Sequence, residues 1–127
     1  GRLKVAPEHT EDLVLKLMAK PSFRLFERLR VEFDNIVRCS GRKCELVPYF
    51  ISGHPGCGMR EMQRLARNPA LKGLYMDQVQ DFTPTPMTTS SVMFYTGLDP
   101  KNLDKVFVER DLERKKEQKS FFFRRGK

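Results

Sequence analysis

No run of apolar residues in this 127-residue chain approaches the roughly 18 to 20 needed to cross a bilayer, so no membrane partner is expected. The opening stretch GRLKVAPEH lacks the apolar segment and small-residue cleavage site of a signal peptide, and it has no initiator methionine. A processed product or an excised piece, soluble and cytoplasmic, is the expectation. Cysteine is scarce and odd in number. Cys39, Cys44 and Cys57 favour free thiols in a reducing compartment over a disulfide framework. With His54 they bring four N/S ligands into one chain, but without the two tight ligand pairs of structural zinc, so no metal site is assigned. Acidic residues are scarce at one end only. From Arg114 to Lys127 there are seven Lys or Arg and one Glu, within a net charge of +8 for the whole chain. The body is therefore nearly neutral, and the basic tail is a place for weak nucleic-acid contact.

What is present reads as one domain with a modest core, its ten phenylalanines arguing against disorder. Leu3 to Ala6 reads as a short buried strand ending at Pro7. Thr10 is the expected N-cap of a helix, with Glu11 and Asp12 in its first turn, and Pro21 closes that segment. Ser22 is the expected cap of a second helix, in which Leu25, Phe26, Leu29, Phe33, Ile36 and Val37 form a core-facing stripe. Ser40-Gly41 supplies its stop, and ELVPYFIS reads as a strand. A helix through Met62, Leu65 and Ala66 follows Gly58, Pro69 interrupts it, and DQVQDF is the next strand. Phe121, Phe122 and Phe123 are expected to dock on apolar surface, because consecutive residues cannot all face one way on a helix to stack on bases.

Strand, helices, strand, helix, strand is the order of βαβ crossovers and a parallel sheet. The loops PEHT, GHPGC and TPTPMTTSS would then open on one sheet edge, where α/β proteins place ligands. Gly53 removes a side chain where a flat ligand could lie on backbone, and Gly56 can take φ > 0 before the next helix. Taken alone, an isolated GxPG is better read as a tight βα turn with no ligand.

Taken together, VAPEHTEDLVLKLMAKPS, VPYFISGHPGC, VQDFTPTPMT and MFYTGLDP resemble, in this order, successive motifs of the radical S-adenosylmethionine enzymes, specifically proteins of the YgiQ type. The resemblance covers nearly the whole chain. It implies an α/β fold in which residues 1–96 are the C-terminal half of a six-stranded partial (β/α) barrel, with about three parallel strands and covering helices. Residues 97–127 would begin a C-terminal extension with a helical basic tail. In that family a CxxxCxxC loop holds a 4Fe-4S cluster, which reduces S-adenosylmethionine to methionine and a 5′-deoxyadenosyl radical. That loop is absent here, so the ligands would lie in the upstream half of the same polypeptide and this piece alone would be inactive.

Residue by residue, the resemblance implies that Glu8 contacts the cosubstrate and that Ile51 and Gly53 lie along its adenine. Tyr49 and Gly56 stand where the family pattern has glycine and glutamate. Met87 replaces the glycine of TPTPGT, and since a Met enters φ > 0 only at a cost, the turn there is expected to differ. His9 reads as structural. The substrate is not encoded in these loops. A basic interaction module that binds RNA or another anionic partner through its tail is the other class of function considered.

Overall fold

Three parallel strands in the order β1-β2-β3 form the sheet, in a computed structural model that describes residues 1–76 and 78–123. The architecture is the expected α/β arrangement. β1 spans Arg2–Glu8, β2 spans Glu45–Ser52 and β3 spans Val79–Asp81. Leu3 pairs with Leu46, Val5 with Pro48 and Phe50 with Val79. Side chains alternate across a strand, so this register assembles one row beneath the helices. The core contains Leu46, Phe50 and Val79 with Phe26, Met62 and Leu65, and Ile51, paired with Gln80, belongs to the opposite face.

Pro48 lies in the central strand, where a missing N–H usually breaks a ladder. Phe50 donates its N–H to Gln78 on the β3 side, and Pro48, two residues earlier, points the same way. There β3 has not begun, since it pairs only with residues 50–52. The missing donor therefore faces no strand.

Helices α1 (Asp12–Leu17), α2 (Arg24–Ser40), α3 (Met59–Arg67), α4 (Thr89–Thr96) and α5 (Leu112–Phe123) complete the chain, with a 3₁₀ turn at Pro69–Leu71. Several expectations are corrected in detail. β1 extends beyond Leu3–Ala6 at both ends. Thr10 does not cap α1: its hydroxyl is buried without a partner, and Glu11 occupies the cap position. Asp12 serves the following helix instead, accepting from the Ser22 hydroxyl at 2.9 Å and the Phe23 N–H at 2.9 Å. Ser22, expected to cap α2, stands one residue before the cap position, which Phe23 holds, and accepts the Arg24 N–H at 3.3 Å.

The α2 stripe is core only in part. Phe26 is buried, but Leu25 is 59% and Ile36 66% exposed. Leu25 lies with Leu29 and Val5 along a groove beside β1, the outer strand of the sheet, so this part of the apolar face overhangs the sheet edge. Gly41, with φ 66°, ends α2 where expected.

β3 is shorter than DQVQDF. Phe82 still donates to the Ser52 carbonyl at 2.7 Å, but Pro84 and Pro86 then supply no donors; Asp77 lies outside the described residues. The tail is helical as far as Phe123, and of its three phenylalanines Phe122 is 1% exposed, its ring edge-on to Phe50 at 5.5 Å. Docking on apolar surface is what that residue does. Among the described residues no helix is long and apolar enough to cross a membrane.

Candidate functional site

The ends of all three strands meet at one edge, and the loops after them touch. Glu8 closes β1 in register with Phe50, one residue before Ile51. Gly53 follows β2, and Asp81 closes β3, where the Ser52 hydroxyl donates to its carboxylate at 2.8 Å. The structure thus brings Glu8, Ile51 and Gly53 to the same edge.

Backbone geometry is unusual at two of them. Glu8 takes φ 71° and Gly53 φ 71°, a region L side chains enter at a cost of about 1 kcal/mol or more. The Glu8 carboxyl lies 3.8 Å from the Lys20 ammonium. Burial raises its pKa and Lys20 opposes that rise. At Gly53 a side chain would pass 3.8 Å from Lys115, so the space beside it is bounded by α5. Its N–H is already committed, donating to Gln118 Oε1 at 3.1 Å. Met87 also adopts a left-handed φ, 65°, with its side chain fully exposed. The expectation that methionine would avoid this conformation is corrected: the turn keeps it and bears the strain. Gly56 has φ 86°, and a side chain there would meet the flexible end of Leu17. Glycine is required by the left-handed backbone.

Behind the edge lies a buried polar network. His9, fully buried, accepts the Glu11 N–H at Nδ1, 3.0 Å away. The proton is therefore on Nε2, which donates to Cys57 Sγ at 3.3 Å. Cys57 faces Gln118 Oε1 at 3.8 Å, and Gln118 Nε2 donates to the Cys57 carbonyl at 3.2 Å. Burial pushes the His9 imidazole down to about 3, with His54 adding to the effect. Burial likewise pushes the Cys57 thiol up to about 12. The pair is neutral imidazole beside neutral thiol, so it is not an activated nucleophile.

His54 is used in the same way. Its Nδ1–H donates to the Pro55 carbonyl at 2.8 Å, and the Ser90 hydroxyl donates to Nε2 at 2.8 Å. Its pKa is lowered, chiefly by burial. Both histidines join neighbouring loops: β1 to β2 through His9 and Cys57, β2 to α4 through His54 and Ser90.

Gln118 escaped the sequence reading. It sits among charges in ERKKEQKS, and its one signal is the i, i+4 relation to Phe122, which places both on one helix face. The thiols do not converge. Cys39 and Cys44 are exposed and Cys57 is buried, and no group of three His, Cys, Asp or Glu able to hold a metal occurs among the described residues.

The histidines predict an acid sensitivity. A histidine with a folded pKa below its ordinary 6.5 stabilises the fold fully above pH 6.5 and loses that contribution as pH falls towards the folded value. Glu8, raised instead, acts oppositely, favouring the fold below its ordinary 4.5. The urea midpoint is therefore expected to fall as pH drops from 6.5 towards 3, and to fall less steeply in His9→Gln. An identical pH slope in that variant would remove His9 from the explanation.

Comparison with known proteins adds the following. Residues 77–125 match a domain of unknown function, DUF3362, a span that begins just before β3 and takes in α4 and α5. A UPF0313 protein of Bacteroides thetaiotaomicron is 48% identical over 123 residues, covering 97% of this chain and 20% of that protein. One from Porphyromonas gingivalis is 47% identical over 123 residues, covering 97% and 19%. An archaeal one, from Methanosarcina acetivorans, is 42% identical over 126 residues, covering 99% and 17%. No solved structure matches the chain. Its homologues are UPF0313 proteins, longer polypeptides of whose length this chain spans about a fifth.

Proposed function

We propose that this chain is part of a radical S-adenosylmethionine enzyme and contributes the adenine and ribose side of the cosubstrate site. The observation that carries this reading is the meeting of three parallel strand ends, with a left-handed glycine and a carboxylate, at one edge. Ile51 offers an apolar side chain on the sheet face opposite the core, for the flat face of adenine. Gly53 leaves room beside it. Since its N–H is held by Gln118, it offers a ligand only its carbonyl. Glu8 can accept hydrogen bonds from ribose hydroxyls.

A 4Fe-4S cluster does not fit this chain's thiols. Cys44 precedes β2 and Cys57 follows it, with roughly 25 Å of strand between, and Cys57 is neutral and enclosed. The ligands belong, on this reading, to the rest of the longer protein. The open side of β1 supports that placement. No strand pairs there among the described residues, and a groove of about 550 Å³ lined by Val5, Phe23, Leu25 and Leu29 runs beside it. An upstream strand of the same polypeptide would pair with β1 there and place a few apolar side chains in the groove. Free thiols are consistent with a cytoplasmic setting. The alternative of a basic RNA-binding module through the tail has one phenylalanine fewer to stack on bases, because Phe122 is docked against Phe50 while Phe123 remains 53% exposed; residues 124–127 lie outside the described residues.

The test uses the full-length protein, reconstituted anaerobically with iron and sulfide and assayed for 5′-deoxyadenosine. Gly53→Val and Ile51→Asn are each expected to lower release by about a hundredfold, a misplacement-sized effect, with iron and sulfide content unchanged. Ile51→Asn guards against the backbone strain that valine brings at φ 71°. Wild-type release from both variants would overturn the assignment of the edge. No release from a wild-type protein with its cluster assembled would overturn the enzyme reading.

A further inference from the structure

Phe94 of α4 stands where the loops meet. Its ring lies 5.8 Å from Phe82, which follows β3, and Phe82 lies 5.0 Å from His54, which follows β2. Two cations sit over the Phe94 ring, the Arg110 guanidinium at 5.3 Å and the Lys115 ammonium at 4.7 Å. Each is within cation–π reach, yet two like charges on one ring repel one another. Neither takes part in any ion pair among the described residues, although Arg110 Nη2 donates to the Tyr95 carbonyl at 3.4 Å.

The nearby carboxylates are engaged elsewhere. Glu109 accepts the Asp111 N–H at 3.1 Å, and Asp111 accepts the Glu113 N–H at 2.9 Å. The Lys115 stem passes within 3.8 Å of the position a Gly53 side chain would take, so this positive cluster opens on the candidate edge. Beside it Tyr95 stands edge-on to Phe94 at 5.3 Å and is 70% exposed.

We propose that Arg110 and Lys115 bind the phosphate of a nucleotide whose base lies on Tyr95. An arginine fork grips phosphate through paired N–H groups, a lysine adds a point charge, and an exposed aromatic ring accepts the flat face of a base. The two requirements, an anion and a flat ring side by side, are those of a single nucleotide unit. Neither the cosubstrate assignment nor the missing cluster enters the argument.

The experiment titrates the 127-residue chain with adenosine 5′-monophosphate and follows the Gly53 amide and the Phe94 and Tyr95 ring resonances by NMR. Saturable shifts at these residues are expected, with weaker binding of adenosine and of inorganic phosphate. Arg110→Gln with Lys115→Gln should weaken binding about tenfold or more, as loss of charge-assisted bonds does. Tyr95→Ala, at an exposed position, provides a second variant with little risk to folding, and it too should weaken binding. Arg114→Gln with Lys116→Gln, elsewhere on α5, should leave binding unchanged. The proposal is overturned if the nucleotide causes no shift, if the double variant binds it equally well, if inorganic phosphate binds as tightly, or if only an oligonucleotide binds.

Discussion

Phe122→Ala is expected to cost the fold about 3 to 5 kcal/mol, the usual loss for truncating a buried phenylalanine. The ring is 1% exposed, packs edge-on to Phe50 and belongs to the central core cluster. Against a total of about 5 to 15 kcal/mol for a typical domain, that loss could unfold the chain at moderate temperature. Phe123→Ala is the control. At 53% exposure it should change stability by less than about 1 kcal/mol. Urea denaturation of the two variants measures the difference, and equal losses would mean that α5 is not anchored through Phe122.

Gln118→Leu should lose about 2 to 4 kcal/mol, although leucine is the more apolar residue. The amide is fully buried and uses both ends, Oε1 for the Gly53 N–H and Nε2 for the Cys57 carbonyl. Removing it strands two backbone groups, each costing about 1 to 3 kcal/mol when buried without a partner. Gln118→Glu sharpens the test. A glutamic acid can keep the Gly53 bond, but ionising it in this enclosure is unfavourable, so its folded pKa will lie above the unfolded one. Relative to wild type at the same pH, its stability should therefore be greatest at acid pH and decline as pH rises through the folded pKa. A Gln118→Glu protein with wild-type pH dependence would show that water reaches the network.

How far the sequence disclosed this arrangement depends on which physical signal each residue leaves. Gly41, Gly53 and Gly56 mark left-handed backbone because nothing else fits cheaply there, and the run of ELVPYFIS between turn residues marks a strand. From these the parallel order and the shared edge of three loops follow. Thr10 misled because capping propensity is local, whereas the fold starts the helix one residue later, with Glu11 in the cap position, and encloses the Thr10 hydroxyl without a partner. The α2 stripe misled because amphipathic spacing shows which face is apolar but not whether a sheet lies beneath all of it. Leu25 and Ile36 have the right spacing and remain exposed. Gln118 was silent: a polar residue among charges earns its burial only from backbone groups 65 and 61 residues away, and no periodicity encodes that. Met87 shows the reverse limit, a side chain accepting a conformation its chemistry disfavours because Pro86 and α4 fix the chain on either side.

The reach of α5 back to the Gly53 loop also bears on how the protein is made. Gly53 waits 65 residues for Gln118. A ribosome adding about 5 to 20 residues per second leaves roughly 3 to 13 seconds in which β2 has been synthesised while its partner helix does not yet exist. During that interval the Phe50 ring lacks its cover and the Gly53 N–H its acceptor, so the nascent chain presents a greasy strand that chaperones or proteases can find. Messages truncated before Leu112 would make that interval permanent, and their products should be cleared by quality control even though every strand of the sheet has been translated.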